Sequence, residues 1–166
     1  MRTDAHARTR ILGGILPLLA IAMLMAAPVQ AETVFVAELN GSQEVPPNSS
    51  EASGNGVFVL NDAQTELSFS IEYTGLEAPE TGAHFHNAAP GQNGPAVFTL
   101  PPGSPKNGVW EIPSEMVEEL LAGRIYVNIH TELYPGGEIR GDLYMEDPTP
   151  ARDSSWGQLR KMFDAE

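Results

Sequence analysis

Cysteine is absent from all 166 residues. That excludes thiolate metal sites, thiol catalysis, disulfide staples and a lipid-anchored start at a processed Cys. It does not exclude an oxidising compartment, because a chain of this length can bury a core without cross-links. Basic residues are also scarce, with 9 Lys and Arg against 22 Asp and Glu and a net charge of −13. A surface so acidic repels phosphate backbones and anionic lipid, so nucleic acid is not an expected partner. No glycine-rich phosphate loop with a lysine precedes a helical pattern, and no Gly-x-Ser-x-Gly elbow is present. Beyond the N-terminal stretch there is no apolar run long enough to cross a bilayer.

That N-terminal stretch has the three parts of a secretory signal. Arg2, Arg8 and Arg10 form a positive leader, Ile11 to Ala27 is uncharged and apolar, and Val29-Gln30-Ala31 offers small residues for cleavage before Glu32. The alternative, an uncleaved anchor, is disfavoured by the short run and by Gly13, Gly14 and Pro17 within it. Residues 1–31 are thus expected to be removed and the remainder to work in the periplasm or the secreted medium, without a membrane span. Losing three Arg and one Asp takes the net charge from −13 to −15.

Period-two alternation dominates the chain beyond Glu32. Phe35, Ala37 and Leu39 share one face of a first strand, and Val57 to Leu60 is a short apolar run after the turn-rich Asn48–Gly56. Leu67, Phe69, Ile71 and Tyr73 alternate with Glu66, Ser68, Ser70 and Glu72. Val97 to Leu100 reads as a strand and Pro101–Gly108 as a loop. One helix is expected, capped by Ser114, closed by Gly123, and facing the sheet with Met116 and Leu120 and, at the margins, Val117 and Leu121. Ile125, Val127 and Ile129 alternate with Tyr126, Asn128 and His130. Tyr134-Pro135-Gly136-Gly137 has the residue order of a type II turn, and Glu138 to Tyr144 returns as the partner strand. Many short strands and one short helix predict an all-β fold, an antiparallel sandwich over residues 32–147. Residues 148–166 read as a Pro-marked linker and a short amphipathic tail carrying Trp156, Leu159, Met162 and Phe163.

Of the 4 histidines, His6 lies in the signal. The other three are His84, His86 and His130. Residues i and i+2 of a strand project to the same side, about 7 Å apart, so His84 and His86 can converge while Phe85 enters the core. His130 lies on the strand face opposite Ile125, Val127 and Ile129. If that face meets the His84–His86 face, three imidazoles meet at one point and can hold a metal ion. Imidazole suits copper, zinc, iron and nickel alike. In the alternative reading the rings hydrogen-bond loop backbone such as Asn87–Gly94 and the domain is a metal-free adhesion or interaction module. Glu132 and Glu138 could pair as acid and base, but a solvated turn is the simpler account.

Five ordered blocks resemble a known family. They are Leu39-Asn40-Gly41-Ser42-Gln43-Glu44-Val45-Pro46-Pro47, Tyr73-Thr74-Gly75-Leu76, Gly82-Ala83-His84-Phe85-His86, Leu121 to Thr131, and Tyr134 to Gly141. Together they are similar to the chordin-type domain, CHRD, over about residues 34–145. The resemblance implies an immunoglobulin-like β-sandwich in exported or extracellular proteins and no settled molecular activity; an extracytoplasmic protein partner belongs to the interaction-module reading. A second likeness, to copper/zinc superoxide dismutase, implies a Greek-key sandwich with His84, His86 and His130 at copper-ligand positions and Arg140 near an anion-guiding arginine. The bridging histidine, the zinc loop and the cysteine pair of that family are missing. What that likeness leaves is a copper-only site, with zinc as the alternative ion. It also raises superoxide as a candidate substrate of a copper-dependent oxidoreductase, against which the net charge argues.

Overall fold

The computed structural model describes residues 32–146. The expected signal and the Pro-marked tail lie outside the described residues. Among the described residues, nine strands and one α-helix run in chain order: β1 (Thr33–Asn40), β2 (Ser53–Leu60), β3 (Glu66–Thr74), β4 (Glu80–Asn87), β5 (Ala96–Thr99), β6 (Lys106–Glu111), α1 (Ser114–Leu121), β7 (Ile125–Thr131), β8 (Ile139–Asp142) and β9 (Tyr144–Met145). All pairings are antiparallel, in the order β5-β4-β7-β8-β1-β2-β3-β6, with β9 also against β1. β8 and β1 share only the Asn40–Arg140 register pair. At that thin seam the sheet turns, and β5-β4-β7-β8 packs over β1-β2-β3-β6. The fold is therefore all-β and antiparallel, a nearly closed sandwich with one short helix, as the alternation predicted.

The inner faces make the core. Phe85 of β4 meets Phe58 of β2 and Phe69 of β3 edge-on, at centroid distances of 5.8 and 5.5 Å, and stacks on Trp110 of β6 at 5.4 Å. Burying such rings contributes about 1.5–3 kcal/mol each. Phe85 is fully buried, which fixes the side of the strand that carries His84 and His86.

Five local expectations need correction. The helix begins at Ser114, but Pro113 is its N-cap, with no side-chain hydrogen bond; Ser114 contacts the Glu115 carboxylate instead. The turn at Tyr134–Gly137 closes with a Gly137 N–H to Tyr134 C=O bond of 3.0 Å, yet the positive φ falls on Gly137 rather than Gly136, so it is not type II. β6 starts at Lys106 inside the stretch read as loop, and β2 starts at Ser53 inside the stretch read as turn. On α1, Val117 and Leu120 are buried and Met116 packs against the core, whereas Leu121 is exposed.

Candidate metal centre

The outer face of β4-β7-β8 is not a solvent face. Tyr126, Asn128 and Arg140 project from it and are 2%, 2% and 1% exposed. Three segments cover it. In the first, Asn40 accepts from the Gln43 N–H and sets a single 3-10 turn. The chain then carries Glu44 to Asn128, where the amide donates to the carboxylate at 3.3 Å. Asn48 donates to the Gly137 and Glu138 carbonyls. The second, residues 88–95, is tied down by Asn93 to the Val45 carbonyl at 2.7 Å and by Arg140 to the Gln92 carbonyl at 2.9 Å. The third is the turn after β7. Glu138 is fully buried and accepts from Ser50, the Glu77 N–H and Thr131. It is a structural anchor, which corrects the reading of a solvated turn.

Under this cover lie the histidines. In the β4–β7 register His84 stands opposite Asn128, His86 opposite Tyr126, and His130 opposite Gly82. Because Gly82 has no side chain, the space above it is open to the neighbouring rings. Ring centroids are 5.2 Å apart for His84–His130, 5.7 Å for His84–His86 and 5.9 Å for His86–His130. One nitrogen from each ring lies within 4.8 Å of the others. Metal–imidazole bonds are about 2.0–2.1 Å long, so closing on an ion needs each ring to move by less than about 1 Å.

The hydrogen bonds settle which nitrogens are free. His86 Nδ1 lies 2.9 Å from the Gly94 carbonyl and His130 Nδ1 lies 3.1 Å from the Pro135 carbonyl. A carbonyl can only accept, so both Nδ1 atoms carry the proton and both Nε2 atoms present lone pairs. Those two Nε2 atoms are buried and have no hydrogen-bond partner. A backbone carbonyl fixing the far nitrogen is the usual support for a metal-binding imidazole. Burial, foremost, holds the pKa of both rings below the ordinary histidine value, and the mutual repulsion of the histidines adds to it. Both are neutral near pH 7, so an arriving ion displaces no proton from them.

On one side the site is reachable. A shallow depression of about 240 Å³, lined by Thr81, Gly82, His84, His130 and Pro135, opens onto two of the rings. On the other side Tyr126 closes it, stacked on His86 at 4.9 Å with the planes 13° apart. The Tyr126 hydroxyl accepts from the Gly94 N–H, so one residue, Gly94, holds both rings through its N–H and its C=O. Arg140 lies with its guanidinium carbon 3.6 Å from the centre of the Tyr126 ring. Its donors go to Asp142, the Gln92 carbonyl and Asn93. Arg140 therefore does not present a solvent-facing cation, the posture that guiding an anion would require.

The family model of the CHRD domain matches residues 35–143. The chain belongs to the CHRD domain family. No curated protein and no solved structure matches the chain. In this CHRD domain four of the five blocks legible in the sequence build the site. Asn40 to Pro47 forms the cover, Gly82 to His86 and Ile125 to His130 form the paired histidine strands, and Tyr134 to Gly141 supplies the turn, Glu138 and Arg140. Sequence reasoning placed Tyr126 and Asn128 on the face of His130 but gave them no role, and it missed Glu44 and Gly82. The strand parity that grouped the histidines also groups Tyr126 and Asn128, so that signal was present.

Proposed function

We propose that this CHRD domain is an exported, extracytoplasmic module that binds a metal ion through His84, His86 and His130, with copper favoured over zinc. Two observations carry the reading together: the Nε2 atoms of His86 and His130 are buried without a partner, and one ring nitrogen from each of His84, His86 and His130 lies within 4.8 Å of the others. Leaving a buried acceptor unmatched costs about 1–3 kcal/mol. Two at one point, each with its tautomer fixed by a backbone carbonyl, make a pre-organised donor set. An all-imidazole, oxygen-free set fits copper and zinc, and excludes calcium and magnesium as favoured ions. A bound ion would supply a Lewis-acid or redox centre beside the depression. The leader-like residues 1–31, and the extracellular occurrence of this domain type, support export. Among the described residues no helix is long and apolar enough to cross a membrane.

The test is metal content of untagged mature protein after equilibration with copper or zinc at pH 7.5. About one ion per chain is expected, with nitrogen hyperfine structure from several imidazoles in the copper(II) spectrum. Each of His84→Gln, His86→Gln and His130→Gln should weaken binding by at least about tenfold. No uptake by the folded wild-type domain, or uptake unchanged in the triple variant, overturns the reading. Binding requires neutral rings, so affinity should fall as the pH drops below about 6.

A second reading, a metal-free interaction module, has its own support. Val57 and Tyr144 both stand opposite Val36 in the β2–β1–β9 register, and they are 46% and 52% exposed. Capture of a partner equally well by wild type and by the triple histidine variant would favour it. The superoxide dismutase reading gains nothing from Arg140, whose guanidinium is sealed from solvent.

A further inference from the structure

We propose that Arg140 selects the charge of the bound ion: its buried guanidinium, held against Tyr126 behind His86, favours monovalent Cu(I) over Cu(II) or Zn(II). This rests on the metal-binding reading and goes beyond it, since three neutral imidazoles carry no net positive charge with which to disfavour a divalent ion.

Burying this cation has a cost. A guanidinium that is 1% exposed has lost its water and must be compensated by the protein. Here the compensation is partial. Asp142 takes the Nε and Nη2 edge at 2.9–3.2 Å, two neutral oxygens take Nη1, and the flat face rests on an aromatic ring. The Asp142 side chain is 35% exposed, so water screens its charge more than it screens that of Arg140. Glu44 faces the same region from the covering segment, but burial raises its pKa to about 7 and leaves it largely protonated below that pH.

A cation placed there repels a divalent ion twice as strongly as a monovalent one. The guanidinium–Tyr126 and Tyr126–His86 stacking steps, with a metal–imidazole bond beyond them, put it roughly 10 Å from an ion on His86. At that range a unit charge in a partly buried setting changes a binding constant by about tenfold per charge. The buried ring of Tyr126 excludes water from the gap and so preserves the effect.

The experiment measures Cu(I) and Cu(II) affinities by competition with chromogenic chelators at pH 6.5. It also measures the reduction potential of the copper-loaded domain, with the electron supplied by an electrode. In Arg140→Met the Cu(I)/Cu(II) affinity ratio should fall about tenfold, a drop of about 59 mV. Arg140→Lys should retain most of the wild-type ratio. Asp142→Asn should move the ratio the other way, toward Cu(I), and it decides the matter if Arg140→Met fails to fold. Unchanged ratios in the folded charge variants overturn the proposal. If the wild-type domain takes up no copper at all, the metal-binding reading itself has failed, and the two outcomes are distinct.

Discussion

Glu44 and the inner histidines respond to pH in opposite senses, and the difference separates their contributions. His86 and His130 have folded pKa values below the ordinary 6.5 because burial disfavours the imidazolium. The unfolded chain therefore binds more protons just below pH 6.5, and stability falls as the pH drops through that value. Glu44 has a folded pKa of about 7 against an ordinary 4.5, mainly from burial. Its folded form holds a proton that the unfolded chain has released, so its contribution is complete below pH 4.5 and is lost as pH rises to about 7. A protonated Glu44 can donate to an acceptor, and both its own Oε1 and the Asn128 Oδ1 are buried without a partner. Glu44→Gln should therefore stabilise the domain at pH 8, by about 1–3 kcal/mol, and change little at pH 5. Urea unfolding at both pH values checks this, and equal effects at the two would refute it. The histidine triad was legible because parity alone places three like rings on two outer faces. The burial of Glu44, Asn128 and Arg140 was not, because charged and polar residues on an outward face read as solvated, and only the covering loops make them interior.

Among the elements, β3 and β7 were legible because their inward residues are uniformly apolar, while β6 was hidden by its own inward face. That face is Lys106, Gly108 and Trp110, with a buried cation and a glycine where the pattern expects large apolar groups. Gly108 is needed because a Cβ there would press into the Phe69 ring. Lys106 is fully buried and donates to Glu80 Oε1 at 2.5 Å and to the Pro101 carbonyl at 2.8 Å. Glu80 also accepts from Tyr73 and from the Gly103 N–H, and these bonds hold its pKa below the ordinary carboxylate value despite its burial. This cluster ties β3, β4 and β6 at the end of the sandwich where β4 begins. Lys106→Met should destabilise the domain by about 3 kcal/mol, because it leaves a part-buried carboxylate unpaired. Adding Glu80→Gln should recover part of that loss, since the coupling lies in the pair. A double-mutant cycle in urea measures it, and strictly additive losses would show that the pair does not interact. Phe85→Ala should cost about 3–5 kcal/mol by emptying the centre of the aromatic core. It should also weaken the proposed metal binding, since the Phe85 ring anchors the strand that carries His84 and His86.

For the whole molecule, the position of the few bases matters more than their number. Between residues 32 and 147 there are 18 acids and three bases. Two of those bases, Lys106 and Arg140, are sealed inside, and Arg124 is half-exposed beside Glu119. The outer surface of the described domain therefore has almost no positive charge to offset its carboxylates, and their mutual repulsion opposes the folded state. Salt should relieve it: with a Debye length near 30 Å at 0.01 M and about 3 Å at 1 M, added NaCl screens repulsion between exposed acids but leaves the buried pairs largely untouched. The metal-free domain should melt several degrees higher in 0.5 M than in 0.02 M NaCl at pH 7.5, a shift worth about 1 kcal/mol. A flat or falling melting temperature would mean that the acids are already compensated. The same field draws cations toward the depression beside His84 and His130. If the proposed site binds, the association rate of a divalent ion should therefore fall as salt rises, while its dissociation, set at short range by the buried rings, should change little.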